Sequence, residues 1–188
     1  MADFLPAGST RAESVGAETS ADVPAPRYPR WAGGAVCDNR RMPRKVFVSF
    51  DYARDLSRIE RIRELPDVIL KAPAGFKDDS IWNAAQADGD DAVRALIDTA
   101  LQVTTVTVVC IGSRTAGNPH VEYAIERSIL RGNGVVGLRI HAIPDAGGHV
   151  DIEGSVPGLL IENWYKVYTY ADQAGLAAWI EEAAGDAG

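Results

Sequence analysis

Apolar positions in this chain fall into short β-branched runs that alternate with stretches of helical period, and the alternation begins abruptly at Lys45. Lys45-Val46-Phe47-Val48-Ser49-Phe50 is short, β-branched and aromatic, the pattern of a buried strand. From Arg54 to Leu65, Leu56, Ile59 and Ile62 recur at helical spacing until Pro66, which lacks a backbone donor and ends the helix. Asp67-Val68-Ile69-Leu70 then predicts a second short strand, Lys71 to Ser80 a loop, and Asp88 to Leu101 a second amphipathic helix. Thr104 to Ile111 is the strongest strand signal, closed by Gly112, and its near-continuous apolar character predicts a central parallel strand covered on both faces. Asn118 can cap the next helix with Pro119 in its first turn; Val121, Ile125 and Ile129 form one face, and Gly132-Asn133-Gly134 stops it. Val135 to Ile140 predicts a fourth strand, Leu159 to Tyr170 a short last strand, and Gly175 to Ala184 a closing helix. Strand and helix alternate throughout, so the expected architecture is a flavodoxin-like α/β fold, an open parallel sheet with helices on both faces.

Residues 1–43 follow a different pattern. They are rich in Ala, Gly, Ser, Pro and Arg, include Pro24, Pro26, Pro29 and Pro43, and have no apolar period. A disordered or loosely attached extension is expected there, with residues 44–188 forming one domain. The net charge of −7 supplies no basic footprint for a phosphate backbone, so no nucleic-acid partner is expected. Cys37 and Cys110 suggest neither a disulfide framework nor a metal knuckle. No stretch approaches the roughly 18 apolar residues of a membrane span, and no secretory signal opens the chain, so a cytoplasmic protein without a membrane partner is expected.

In open parallel sheets ligands bind beyond the carboxyl ends of the strands. Three segments meet that condition. They are Ser49-Phe50-Asp51-Tyr52, the Ala74 to Trp82 loop with Phe76, and Gly112 to His120 with Ser113. Each sets polar groups beside aromatics, as a nucleotide or nicotinamide pocket needs; equally, Ser49 and Asp51 could serve only to cap the following helix. There is no phosphate loop ending in Lys-Ser/Thr, no GxGxxG and no GxSxG elbow. His120, His141 and His149 lack metal-ligand spacing, and no metal site is expected.

The ordered motifs resemble one family. Lys45 to Tyr52, Ala74 to Trp82 with Gly89-Asp90, Val108 to Thr115, and Tyr123 to Gly137 followed by Ile140-His141 are similar to the ThsB-like TIR proteins of the Thoeris anti-phage system. The resemblance implies a TIR-type fold and NAD⁺ cleavage to a cyclic ADP-ribose-type nucleotide, which diffuses to and activates a partner effector. NAD⁺ would be a substrate, with no resident cofactor. It further implies Ser49, Phe50, Asp51, Tyr52, Phe76, Trp82, Ser113 and His120 around the substrate. Self-assembly through the loop after the second strand is a further implication. The family's catalytic glutamate lies in a motif resembling W-[VI]-x-Y-E-I, and the matching stretch here is His120-Val121-Glu122-Tyr123-Ala124-Ile125. Ala124 therefore occupies the glutamate's position. Glu122 is a weak substitute, since two residues along a helix rotate a side chain by about 200°. Two origins fit: a substitution that silences the enzyme, or a natural domain that has lost the reaction. Either an emptied NAD⁺-cleaving enzyme or a non-catalytic TIR scaffold signalling by assembly is compatible with these residues.

Overall fold

The computed structural model describes residues 44–63 and 79–187. In chain order the elements are β1 (Val46–Ser49), α1 (Tyr52–Arg63), α2 (Asp79–Asp88), α3 (Asp90–Leu101), β2 (Val106–Ile111) and α4 (Pro119–Leu130). They continue with β3 (Gly134–Arg139), α5 (Gly158–Glu162), β4 (Val167–Thr169) and α6 (Gln173–Asp186). The four strands form one parallel sheet in the order β1-β2-β3-β4. The fold is the open, flavodoxin-like α/β sheet of TIR-type domains. The strand expected at Asp67–Leu70 lies outside the described residues.

Register assigns each side chain to a layer. Val48, Val108 and Val136 stand side by side, as do Phe47, Thr107 and Val135. Successive side chains of a strand point to opposite faces, so the even-numbered residues of β1–β3 share one face and the odd-numbered the other. On the odd face Val109, Ile111 and Val135 pack with Val121 and Ile125 of α4 and Leu160 of α5. Thr107 and Ser128 exchange a buried 2.7 Å hydrogen bond across the same layer. On the even face Tyr168, beside Leu138, stacks on Trp179 of α6 at 4.5 Å. Both faces are covered, and every residue of β2 is buried. The long apolar run of the central strand thus has its physical explanation: neither face meets water.

Local signals place several ends. Asn118 Oδ1 accepts from the amides of His120 and Val121, and Pro119 occupies the first turn of α4. Gly132 ends that helix at φ 71°, with its amide on Ile129 O and the Asn133 amide on Ser128 O. Two helices depart from the sequence expectation. α2 continues to Asp88 where only a loop to Ser80 and a helix from Asp88 are expected. Its single buried aromatic, Trp82, sits among exposed neighbours and gives the sequence little apolar period to read. α5 is one short turn inside the expected Leu159 to Tyr170 segment.

Candidate functional site

Beyond the carboxyl end of β1 four aromatic rings form a row. Phe50 stacks on Tyr52 at 5.8 Å, Tyr52 stacks on Trp82 at 4.8 Å, and the His120 ring meets Trp82 edge-on at 6.0 Å. Phe50 follows the strand, Tyr52 opens α1, Trp82 projects from α2, and the Asn118 cap sets His120 in the first turn of α4. Residues from three segments, separated by up to 70 positions, are thereby brought together. Phe50 and Trp82 are buried while Tyr52 and His120 are half-buried, so the row is closed at its Phe50 end and reaches the surface at Tyr52 and at its His120 end. His120 Nε2 lies 3.3 Å from Asp90 Oδ1, which tethers the imidazole to the start of α3.

Two other predicted residues, Ser49 and Asp51, flank Phe50 in the chain. Ser49 is 5% exposed and ends β1. The Asp51 carbonyl accepts the amides of Arg54 and Asp55, closing the first turn of α1. Phe76 lies outside the described residues.

Ala124 is 1% exposed and belongs to the same apolar cluster as Phe50 and Trp82. It stands four residues after His120, on the same side of α4 and one turn further in. Helical side chains lean toward the helix N-terminus, so a longer group at 124 would reach toward His120 and Trp82. Glu122 is half-buried on a different side of the helix, about 160° around from Ala124 in the other sense. Glu126 is exposed. Arg127, on the same helix, bonds Asp98 at 2.7 Å, and Tyr123 donates to the same carboxylate at 2.8 Å. Burial alone would raise the Asp98 pKa, but these two hydrogen bonds outweigh it and hold the carboxyl below its ordinary value.

Ser113 is placed elsewhere. Its hydroxyl donates to Asp151 at 2.6 Å, inside a polar cluster beyond β2 and β3. The centre of that cluster is Arg58, 5% exposed. Its Nη1 bonds Asp55 at 3.1 Å, its Nε donates to the Ile143 carbonyl at 3.0 Å, and Asp145 and Asp151 each approach to 3.9 Å. Residues 141–154 form a strap over this end of the sheet, closed on itself by the Asp151 amide on His141 O. The strap sits directly on the backbone: a Cβ at Gly154 would collide with the Gly112 carbonyl, and one at Gly112 with the Asp55 carboxylate. Burial raises the Asp55 pKa against the opposing pull of Arg58. The Ser113 hydroxyl, with the Ile152 amide behind it, lowers that of Asp151. Sequence reasoning missed Asp55, Arg58 and Asp151. Asp55 and Arg58 are readable as an i,i+3 pair on the first helix, but nothing local shows that the pair is buried.

Comparison with known proteins bears on the same residues. The family model described as "Thoeris protein ThsB, TIR-like domain" matches residues 47–145, a span that holds the aromatic row, position 124 and the start of the strap. A protein of Bacillus cereus (strain MSX-D12) named "Putative cyclic ADP-D-ribose synthase ThsB1" is 35% identical over 118 residues, 62% of this chain and 62% of that relative. The match thus spans under two thirds of the relative's length. With its parallel sheet, its ordered motifs and a family match over more than half its length, the chain belongs to the ThsB family of TIR-like Thoeris proteins.

Proposed function

We propose that this chain is the TIR-like member of an anti-phage Thoeris system, shaped for NAD⁺ cleavage to a cyclic ADP-ribose-type signal but emptied of its catalytic carboxylate at position 124. The observation that carries the reading is the row Phe50–Tyr52–Trp82–His120, which ends one helical turn from a buried alanine. A planar aromatic end suits a nicotinamide ring. Breaking the glycosidic bond then develops positive charge on the ribose, which a neighbouring carboxylate stabilises. Ala124 offers only a methyl group, and Glu122 projects from another side of α4. The chain as given therefore turns NAD⁺ over at least about 100-fold more slowly than a form with the carboxylate restored.

NAD⁺ enters this reading as substrate, with no resident cofactor. The product acts at a distance on an effector protein, and the work is done in the cytoplasm without nucleic acid or membrane. The curated name of the Bacillus relative supports the class of product. No helix among the described residues is long and apolar enough to cross a membrane.

The test is NAD⁺ consumption, followed by chromatography, for this chain and for Ala124→Glu side by side, with circular dichroism to show that both are folded. Turnover by Ala124→Glu alone is expected. Turnover by the given chain alone would overturn the assignment of position 124 and point to Glu122 or another group. The emptied position also favours a second reading, a TIR scaffold that signals by assembly. Gel filtration with and without NAD⁺ separates the two: oligomers indifferent to NAD⁺ support the scaffold, and a monomer that binds it supports the nucleotide site.

A further inference from the structure

The imidazole that ends the aromatic row is held by a residue outside it. Gly89 closes α2 and opens α3 in one step: its amide donates to Ala85 O at 3.1 Å, and its carbonyl accepts the Ala92 amide at 3.1 Å. It does so at φ 105° and ψ 178°, a backbone conformation that glycine alone adopts readily. Trp82 and Asp90 therefore stand on either side of a one-residue joint, and the His120 ring meets both. Asp90 lies in the first turn of α3, whose N-cap supplies no side-chain hydrogen bond. Its carboxylate reaches across to α4 instead, to His120 Nε2 at 3.3 Å.

An ionised carboxylate only accepts hydrogen bonds, so a neutral imidazole facing it carries its hydrogen on Nε2. The lone pair on Nδ1 is then left to accept. Among the described residues Nδ1 has no hydrogen-bond partner, and the His120 side chain keeps 20% of its surface exposed. The backbone is fixed as well, since Asn118 Oδ1 holds the His120 amide at 3.0 Å. The row thus ends in an oriented acceptor, one helical turn from position 124.

We infer that Asp90 is a positioning residue and His120 a specificity-determining one: Asp90 holds the imidazole as the Nε2–H tautomer, and Nδ1 accepts from the carboxamide N–H of the ring that stacks at the end of the row. The inference rests on the NAD⁺ reading and deepens it by naming the group on the substrate that is recognised. A carboxamide brings two N–H donors. The carboxylate of a nicotinic acid ring brings none, and its negative charge meets the Nδ1 lone pair with the charge of Asp90 behind it. The site therefore takes the amidated dinucleotide and disfavours its nicotinic acid counterpart, which differs from it at this group alone.

Calorimetric titration with NAD⁺ and with nicotinic acid adenine dinucleotide tests this on the full chain, on Asp90→Asn and on His120→Phe, with nitrogen-15 shifts of the imidazole to report the tautomer. The given chain is expected in the Nε2–H form and to bind NAD⁺ about tenfold or more tightly than the nicotinic acid dinucleotide. An asparagine at 90 can donate its own N–H to Nε2, which moves the ring hydrogen to Nδ1 and makes that atom a donor. Asp90→Asn should therefore change the tautomer and abolish or reverse the preference. The Asp90 side chain is 78% exposed, so the melting temperature of this variant without ligand should be nearly unchanged, which separates lost positioning from a lost fold. His120→Phe keeps an aromatic edge against Trp82 and should lose the discrimination. Equal affinity of the given chain for the two dinucleotides overturns the inference and leaves the NAD⁺ reading standing, and so does a preference that survives both substitutions. Binding of neither dinucleotide overturns both.

Discussion

On the proposed reading position 124 decides chemistry, and Asp151 bears on stability, each without altering the fold. A buried methyl at 124 completes the packing of α4, whereas a carboxylate there would reach back toward His120 and Trp82. Asp151 acts through its hydrogen bonds. With a pKa lowered in the folded chain by the Ser113 hydroxyl, its stabilisation is complete above the unfolded value of about 3.9 and is lost as pH falls through the lower folded value. Asp98 and Asp145 shift the same way. Asp55, raised by burial, works in the opposite sense: the folded state retains its proton more readily, so its contribution declines as pH rises through that range. Thermal melts should therefore show a fall in stability below about pH 4, and Asp151→Asn should make that fall shallower. At neutral pH the same variant should cost about 1–2 kcal/mol for the lost charged acceptor. An acid limb identical in both proteins would remove Asp151 from the account.

Among the elements, the strap of residues 141–154 depends on α1 for its anchorage. Arg58 holds Ile143 O and approaches the carboxylates of Asp145 and Asp151, while Asp55 balances its charge from one turn away. Removing one member of a buried pair strands the other, so Arg58→Met should destabilise the chain by about 3–5 kcal/mol. Adding Asp55→Leu should recover part of that loss, because the stranded carboxylate goes too. Hydrogen exchange should rise across residues 143–154 more than across β3; equal protection in variant and wild type would mean the strap is held by other contacts. Helix and strand existence was legible here, since β-branched runs and a 3.6-residue period are local signals. α2 was not, because a helix whose one buried residue is Trp82 carries no stripe. α5 was not, because a five-residue helix is shorter than its own period can show.

For the molecule as a whole, the proposed reading makes the aromatic row a ready-made platform that does not depend on a carboxylate at position 124. On the proposed reading, binding and turnover separate: the given chain still takes up NAD⁺. A ligand bound only by the folded state adds about 2.7 kcal/mol at a concentration 100 times its dissociation constant, so NAD⁺ should raise the melting temperature of the given chain. Trp82→Ala should abolish that rise while Ala124→Glu retains it. No shift with NAD⁺ in either background would leave the row a packing feature of α2.

By itself the sequence determined the layer order, the central strand, the α4 cap at Asn118 and its stop at Gly132, because each rests on local periodicity or on one residue's backbone preference. It also carried the ordered motifs by which the family is known. Tertiary structure alone decided that Phe50, Tyr52, Trp82 and His120 meet, and that Ser113 leaves them for Asp151. It alone buried Asp55 and Arg58 beneath the strap and left Trp164 in water. These are facts about which distant segments touch, and a chain's local pattern records how polar a position is but not what lies across the fold from it.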